Sequence, residues 1–285
     1  MHTLRAIYII WYREILRYWR DKPRIISSFA RPLLFLFVFG SGLSPAMGGL
    51  ARGLGSGRLE VALGEAIDYT KFIFPGVIGM NMLIASLMSG ISIVWDREFG
   101  FLKEVLVAPI SRAAVALGKT LGGSTIGVIQ GLLILLFAPF IGVSVTPTMV
   151  VQLIPLMLLA SFAMTSLGVL IAARMRTVES FGMIMNLLTM PLIFISGALF
   201  PMRDLPGWMD FLVKINPVTY AIDPLRQVIF RAQGLPEAAL AQLPHIGLGV
   251  VVFGHTMTIA HDMAVIAAFG AAMIVLAVRM FSIQD

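Results

Sequence analysis

Apolar residues run through this chain in long stretches, and the polar residues gather in the gaps between them. A helix needs about 20 apolar residues to cross a bilayer. Stretches of that order fall at 26–43, 72–94, 120–141, 149–173, 178–200 and 262–280, and they predict six membrane spans. Residues 1–24 follow a different pattern. Leu4, Ile7, Tyr8, Trp11, Ile15 and Tyr18 recur on one helical face, Arg13, Arg17 and Arg20 lie on the opposite one, and Pro23 ends the run. This predicts an amphipathic helix in the membrane interface, with its arginines on anionic lipid or on a partner. So many charged and aromatic residues ahead of the first clean apolar run also argue against a signal peptide.

Three segments separate or follow these spans. Residues 44–70 are rich in glycine and small side chains and predict an outer loop. Residues 201–261 are cut by Pro201, Pro206, Pro217, Pro224, Pro236 and Pro244 into pieces too short to span. Trp208, Phe211, Leu212 and Ile215 make one amphipathic piece there, and Tyr220 to Ala232 makes another. Residues 95–119 are the longest charged interruption in the first two-thirds of the chain, with Asp96, Arg97, Glu98, Lys103, Glu104, Arg112 and Lys119. Inside that loop, Phe101 to Ala108 predicts about two turns of helix, stopped by Pro109. Asp96 and Glu98 lie ahead of its N-terminus, where the helix dipole favours anions. Phe101, Val105 and Ala108 share one face and Leu102 and Leu106 the next, so only Lys103 and Glu104 break an apolar surface. The piece is too short to cross a bilayer and too apolar for water. It fits either a helix lying flat on the membrane or a docking helix received by a separate soluble protein.

Composition agrees with the pattern. Of 285 residues, 58% are hydrophobic and 13% charged, with a mean hydropathy of +0.92, against about 25% charged in soluble domains. The fold class is therefore all-α, a polytopic protein forming a single transmembrane domain over 1–285. There is no cysteine, which removes disulfide and thiol chemistry. The net charge of +6 does not indicate nucleic acid, because the basic residues flank apolar spans and form no single stripe. Most of them fall within 5–31 and 97–119 and at 174, 176 and 279, which by the positive-inside rule places both termini in the cytoplasm.

Several chemistries are absent. Gly118-Lys119-Thr120 looks like the tail of a P-loop, but Ala113 stands where the pattern needs glycine, and no strand precedes it. His255, His261 and Asp262 lack a third ligand at sound spacing for a metal. No serine, histidine and acid arrangement marks a hydrolase. A secondary transporter holds ionisable groups at membrane depth, whereas here Arg31, Glu179, Asp262 and, at the very end of the last span, Arg279 enter the spans, all near their ends. Energy for any active transport must come from outside the chain.

Two stretches carry a resemblance. Asp96-Arg97-Glu98-Phe99-Gly100-Phe101-Leu102-Lys103-Glu104-Val105-Leu106-Val107-Ala108-Pro109-Ile110-Ser111-Arg112, followed by Leu117-Gly118-Lys119, resembles the cytoplasmic loop of permease subunits of type-2 ABC exporters. Asn216-Pro217-Val218-Thr219-Tyr220-Ala221 with Asp223, Leu225 and Arg226 resembles the external connection of the same family, as does Phe74-Pro75-Gly76 at the start of the second span. The resemblance implies that the loop carries a coupling helix to an ATPase subunit. Glu98, Gly100, Phe101, Leu102, Glu104, Val105, Leu106, Pro109, Ser111 and Arg112 would then serve that contact. It implies that 201–261 forms gate helices re-entering the outer membrane, with Asn216, Pro217, Tyr220, Asp223 and Arg226 among them. The chain itself would hold no cofactor, ATP and Mg being bound by the partner. The partners implied are two ATPase subunits and a second permease copy, identical or paralogous, in a prokaryotic inner membrane. Candidates for the pathway are Asn81, Met82, Leu87 and Met88 on the second span and Met183, Asn186 and Met190 on the fifth. Methionine walls adapt to varied apolar ligands, although these side chains fit a lipid-facing or core role equally well. A drug, a lipid or a lipid-linked glycan would each suit, and a channel or membrane scaffold is the alternative class.

Overall fold

The computed structural model describes residues 2–23, 25–38, 69–99, 111–202, 205–234, 243, 247–252 and 255–283. Helices make up nearly all of them. They are α1 (His2–Arg20), α2 (Ile25–Val38), α3 (Tyr69–Met88), α4 (Ile91–Glu98), α5 (Arg112–Leu135), α6 (Pro147–Arg174), α7 (Val178–Phe194), α8 (Gly207–Ile215), α9 (Pro217–Ala232) and α10 (Ile259–Ile283). A short antiparallel ladder pairs β1 (Val251–Val252) with β2 (His255–Thr256). Three stretches are long and apolar enough to cross a membrane: Thr70–Glu98, Pro147–Arg174 and Ile259–Phe281. Ile25–Val38 and Val178–Phe194 are shorter apolar helices. The molecule is a helical, multi-pass membrane protein.

Polar side chains set where the long helices begin. The Ser111, Thr146 and Thr177 side chains accept from the backbone amides of Ala114, Met149 and Ser180, each satisfying a donor that the first helical turn leaves open. Pro147 follows Thr146 at the first helical position, where its missing N–H costs nothing. α6 is the central helix, packed against α3, α4, α5, α9 and α10. The core around it includes Ile78, Met82, Met157, Met164, Phe181 and Leu225, all buried.

The glycines of α5 decide how closely its neighbours lie. A Cβ on Gly118 would sit 2.8 Å from Ile10 Cβ, and one on Gly122 would sit 2.7 Å from Glu14 Cβ, so this side of α5 receives α1. On the other side, a Cβ on Gly123 would come within 2.1 Å of Ser89 Oγ, and one on Gly127 within 2.3 Å of Ser86 Oγ. The glycines of α5 thus serve two neighbours, α1 on one flank and α3 with α6 on the other.

Several boundaries differ from the sequence pattern. The second apolar stretch, expected as one helix over 72–94, is divided into α3 and α4 at Ser89–Gly90. There Gly90 N bonds Leu87 O and Ser92 N bonds Ser89 O, the tighter i to i+3 pattern of a 3-10 turn. The third, expected from Thr120, begins at Arg112, because Ser111 caps it there and Lys119 is carried inside the helix. It ends at Leu135, before a 3-10 turn over Ala138–Ile141. The fifth, expected to reach 200, stops at Phe194; Gly197 then adopts φ +68, a left-handed turn that an L side chain resists. Of the predicted outer loop, Tyr69 and Thr70 already belong to α3; the rest of it and the end of the first apolar stretch lie outside the described residues.

Candidate functional site: a buried charge cluster at the roots of the loop

The end of α4 carries Asp96, Arg97 and Glu98 in succession, and each binds a different part of the molecule. Asp96 is buried, and its Oδ2 accepts from Lys119 Nζ at 2.6 Å and from Arg13 Nη2 at 2.8 Å. Lys119, only 4% exposed, also donates to Glu14 Oε1 and to Ser92 Oγ, both at 3.0 Å. An ammonium has three protons to give, and here each meets an acceptor. A buried ion pair is tolerable only when such extra hydrogen bonds complete it. The geometry depends on α5: Gly118 and Gly122 flank Lys119 and let α1 come close enough for Glu14 to reach it. Arg17 stacks beside this cluster, 4.6 Å from the Trp95 ring, and Trp11 Nε1 donates to Thr125 Oγ1 at 3.0 Å.

Arg97 and Glu98 hold the turn between α6 and α7. Arg97 donates to the carbonyls of Ala172 and Met175 at the end of α6. Glu98 Oε2 accepts from Val178 N, the first amide of α7, at 2.8 Å. A cation at the carbonyl end of one helix and an anion at the amide end of the next both match the helix dipoles. Across the loop, Ser111 caps α5 and Arg112 donates to Phe281 O at 2.7 Å near the end of α10. Both roots of 100–110 are therefore tied into the bundle. Gly100, Phe101, Leu102, Glu104, Val105, Leu106 and Pro109 lie outside the described residues.

The face of α1 differs from its sequence reading. Arg13 and Arg17 turn toward Asp96 and Trp95 and are half-buried, and of the three predicted arginines Arg20 alone is exposed. The open face presents Leu4, Tyr8, Ile9, Tyr12 and Trp19, whereas Tyr18 is buried. The reason is Glu14: a lone acid inside an arginine-rich helix draws the polar stripe toward the protein's own charges. It was the available signal for the cluster, together with the lysine one turn from two glycines.

The pathway candidates are scattered. Met82 and Leu87 are buried in the core. Asn81 and Met88 line a cavity of about 410 Å3 between α2, α3, α4 and α5, which Gln130 of α5 also lines. Met183 and Met190 are each 61% exposed on α7, and Asn186 is exposed beside them, away from that cavity. Sequence reasoning passed over Gln130, whose only mark is being an amide inside an apolar run.

The gate candidates do come together. Asn216 Oδ1 caps α9 through Val218 N at 3.0 Å, and its Nδ2 reaches Leu192 O in α7 at 2.7 Å. Pro217 takes the first helical position. Tyr220 Oη donates to Lys214 O at 2.6 Å, fastening α8 to α9. Arg226, 1% exposed, donates to Gly197 O and lies 5.0 Å from the Phe72 ring, with Asp223 as its counter-charge. Asp223 also accepts from Gln227 Nε2 at 2.7 Å and stands against Asp262 of α10.

Comparison with known proteins covers most of the chain. The sequence profile of the family described as "ABC-2 type transporter" matches residues 5–230. A "Putative transport permease ycf38" of Cyanophora paradoxa is 28% identical over 250 residues, covering 87% of this chain and 82% of that protein. "Nodulation protein J" of Rhizobium meliloti (strain 1021) is 25% identical over 245 residues, or 85% of this chain and 84% of that one. The "Probable multidrug ABC transporter permease YbhR" of Escherichia coli (strain K12) is 24% identical over 176 residues, 59% and 46% of the two chains.

Proposed function

The chain belongs to the ABC-2 type transporter family and is a membrane transport permease without an enzymatic role of its own; from that premise we propose that it is the permease of an exporter driven by ATP hydrolysed on a separate subunit. The observation that carries this reading is the double anchoring of the loop. Whatever is held by residues 100–110 pulls directly on α1, on the turn between α6 and α7, and on the end of α10, through Asp96, Arg97, Glu98 and Arg112. An ATPase seated on Phe101, Leu102, Val105 and Leu106 would therefore move several helices at once, with Glu104 at the rim and ATP and Mg held by the ATPase.

In this reading six spans cross a prokaryotic inner membrane with both termini in the cytoplasm. The six are α2, α3 with α4, α5, α6, α7 and α10. α8 and α9 form the outer gate. Two permeases, identical or paralogous, combine with two ATPases, because six helices enclose too little space for an amphipathic cargo such as a drug, a lipid or a lipid-linked glycan.

Leu106→Asp tests the coupling. An apolar side chain is worth roughly 1.5–3 kcal/mol when buried, and a charge placed in an apolar groove costs several kcal/mol more. The expected result is normal permease level in membranes with the ATPase lost from an affinity-tagged permease, or retained but no longer linked to transport. Glu104→Ala should act mildly, since an exposed charge contributes little. Full ATPase retention and full transport in Leu106→Asp would leave Phe101 to Ala108 as a helix lying on the membrane.

A further inference from the structure

The cavity between α2, α3, α4 and α5 is walled mainly by apolar groups, among them Phe35, Val77, Ile84 and Trp95. Its polar lining is one-sided. Arg31 of α2 enters it and forms no ion pair with any described residue. Asn81 Nδ2 is buried and donates to nothing among the described residues. Gln130 is 4% exposed, and its side chain makes no hydrogen bond within the described residues. Among the described residues, no aspartate or glutamate lines the space. Buried amides without partners are costly, and an arginine beside them is the side chain suited to a phosphate or carboxylate. About 410 Å3 falls within the range of roughly 300–1,000 Å3 found for small-molecule sites.

We propose that this cavity binds an amphiphile with an anionic head group. The head group is held by Arg31, Asn81 and Gln130, and the first part of its tail lies on the apolar wall. Met80 and Met88 supply flexible, polarisable surface for that tail. Polar donors without acids select against cations, and the excess of apolar lining selects against a free hydrophilic anion. Such a site requires only the chain's place in a membrane and stands whether or not an ATPase couples to the loop.

The test uses the full chain purified in a neutral maltoside detergent, without ATPase. Dioleoyl phosphatidylglycerol and dioleoyl phosphatidylcholine are titrated separately, and binding is counted by native mass spectrometry. Dodecyl phosphate and dodecyl trimethylammonium are compared in the same way. The expected result is at least about a tenfold preference for the anionic member of a pair, by analogy with one charge-assisted contact. Arg31→Gln should abolish the preference, and Arg31→Lys should restore much of it; Arg31 is exposed, so both variants should fold. Gln130→Leu should weaken anionic binding while leaving phosphatidylcholine binding unchanged. Phosphatidylglycerol retained through purification by the unaltered chain but not by Arg31→Gln would identify a resident membrane lipid. Preference for dodecyl phosphate alone would identify a smaller amphiphile as the ligand. Equal binding of anionic and neutral or cationic probes, or an undiminished preference in Arg31→Gln, overturns the proposal.

Discussion

Lys119 has all three of its protons placed, on Asp96, Glu14 and Ser92, and this makes it the residue most sensitive to change. Removing one member of such a buried pair costs about 3–5 kcal/mol, because the remaining charges stay out of water. Lys119→Met should therefore lower the apparent melting temperature of the purified chain clearly, and Glu14→Gln should do so less. Leu4→Ala, on the open face of α1, should change it by no more than about 0.5 kcal/mol. A Lys119→Met protein as stable as the parent would mean that the cluster is wetter than its geometry implies. The far end of the bundle from this cluster has its counterpart in Arg226 and Asp223. Asp223→Ala leaves a buried guanidinium without its counter-charge and should be as damaging, whereas Asp262→Asn keeps a polar side chain beside Asp223 and should cost less.

Individual helices were largely legible in the sequence, since a run of apolar residues near the bilayer's width admits little else. Their ends were less so. Ser111 extends α5 back to Arg112 and so brings Lys119 inside, a matter of one capping hydroxyl that hydropathy does not weigh. The charged motif was equally visible, but its bonds reach partners up to 169 residues distant along the chain, from Arg112 to Phe281. No local periodicity records such pairings. The glycines of α5 stand in the sequence mostly at spacings of four residues, which names neither neighbour. Gly122→Ala should separate α1 from α5, since its Cβ has 2.7 Å to Glu14 Cβ and the neighbour is a helix, not a free chain end. Gly182→Ala in α7 meets nothing within 4 Å and, by helix propensity, should be neutral or stabilise by up to about 1 kcal/mol. Melting temperatures in one detergent compare the two; equal effects would remove the close approach as a cause.

For the molecule as a whole, orientation is the first quantity to measure. The chain has no cysteine, so each introduced thiol reports alone. Gln233→Cys should react with an impermeant maleimide in intact cells, and Ser111→Cys only after permeabilisation; the reverse order would invert the proposed topology. The open apolar face of α7, with Met183, Leu187 and Met190, meets either lipid or another permease. A lipid nanodisc should hold two permease copies, and a single copy that transports would exclude the dimer. The tightened turn at Ser89–Gly90 bears on how such an assembly moves. Below it α4 has 8 residues, a rigid rod of about 12 Å at 1.5 Å per residue. Tilting that rod by about 10° about its upper end swings its tip by roughly 2 Å, enough to part a hydrogen bond. α3, above the joint, need not move at all. A joint placed there acts as a lever with a short arm: a small stroke delivered at the loop passes through Asp96, Arg97 and Glu98 to α1 and to the turn between α6 and α7 before any of it reaches α3.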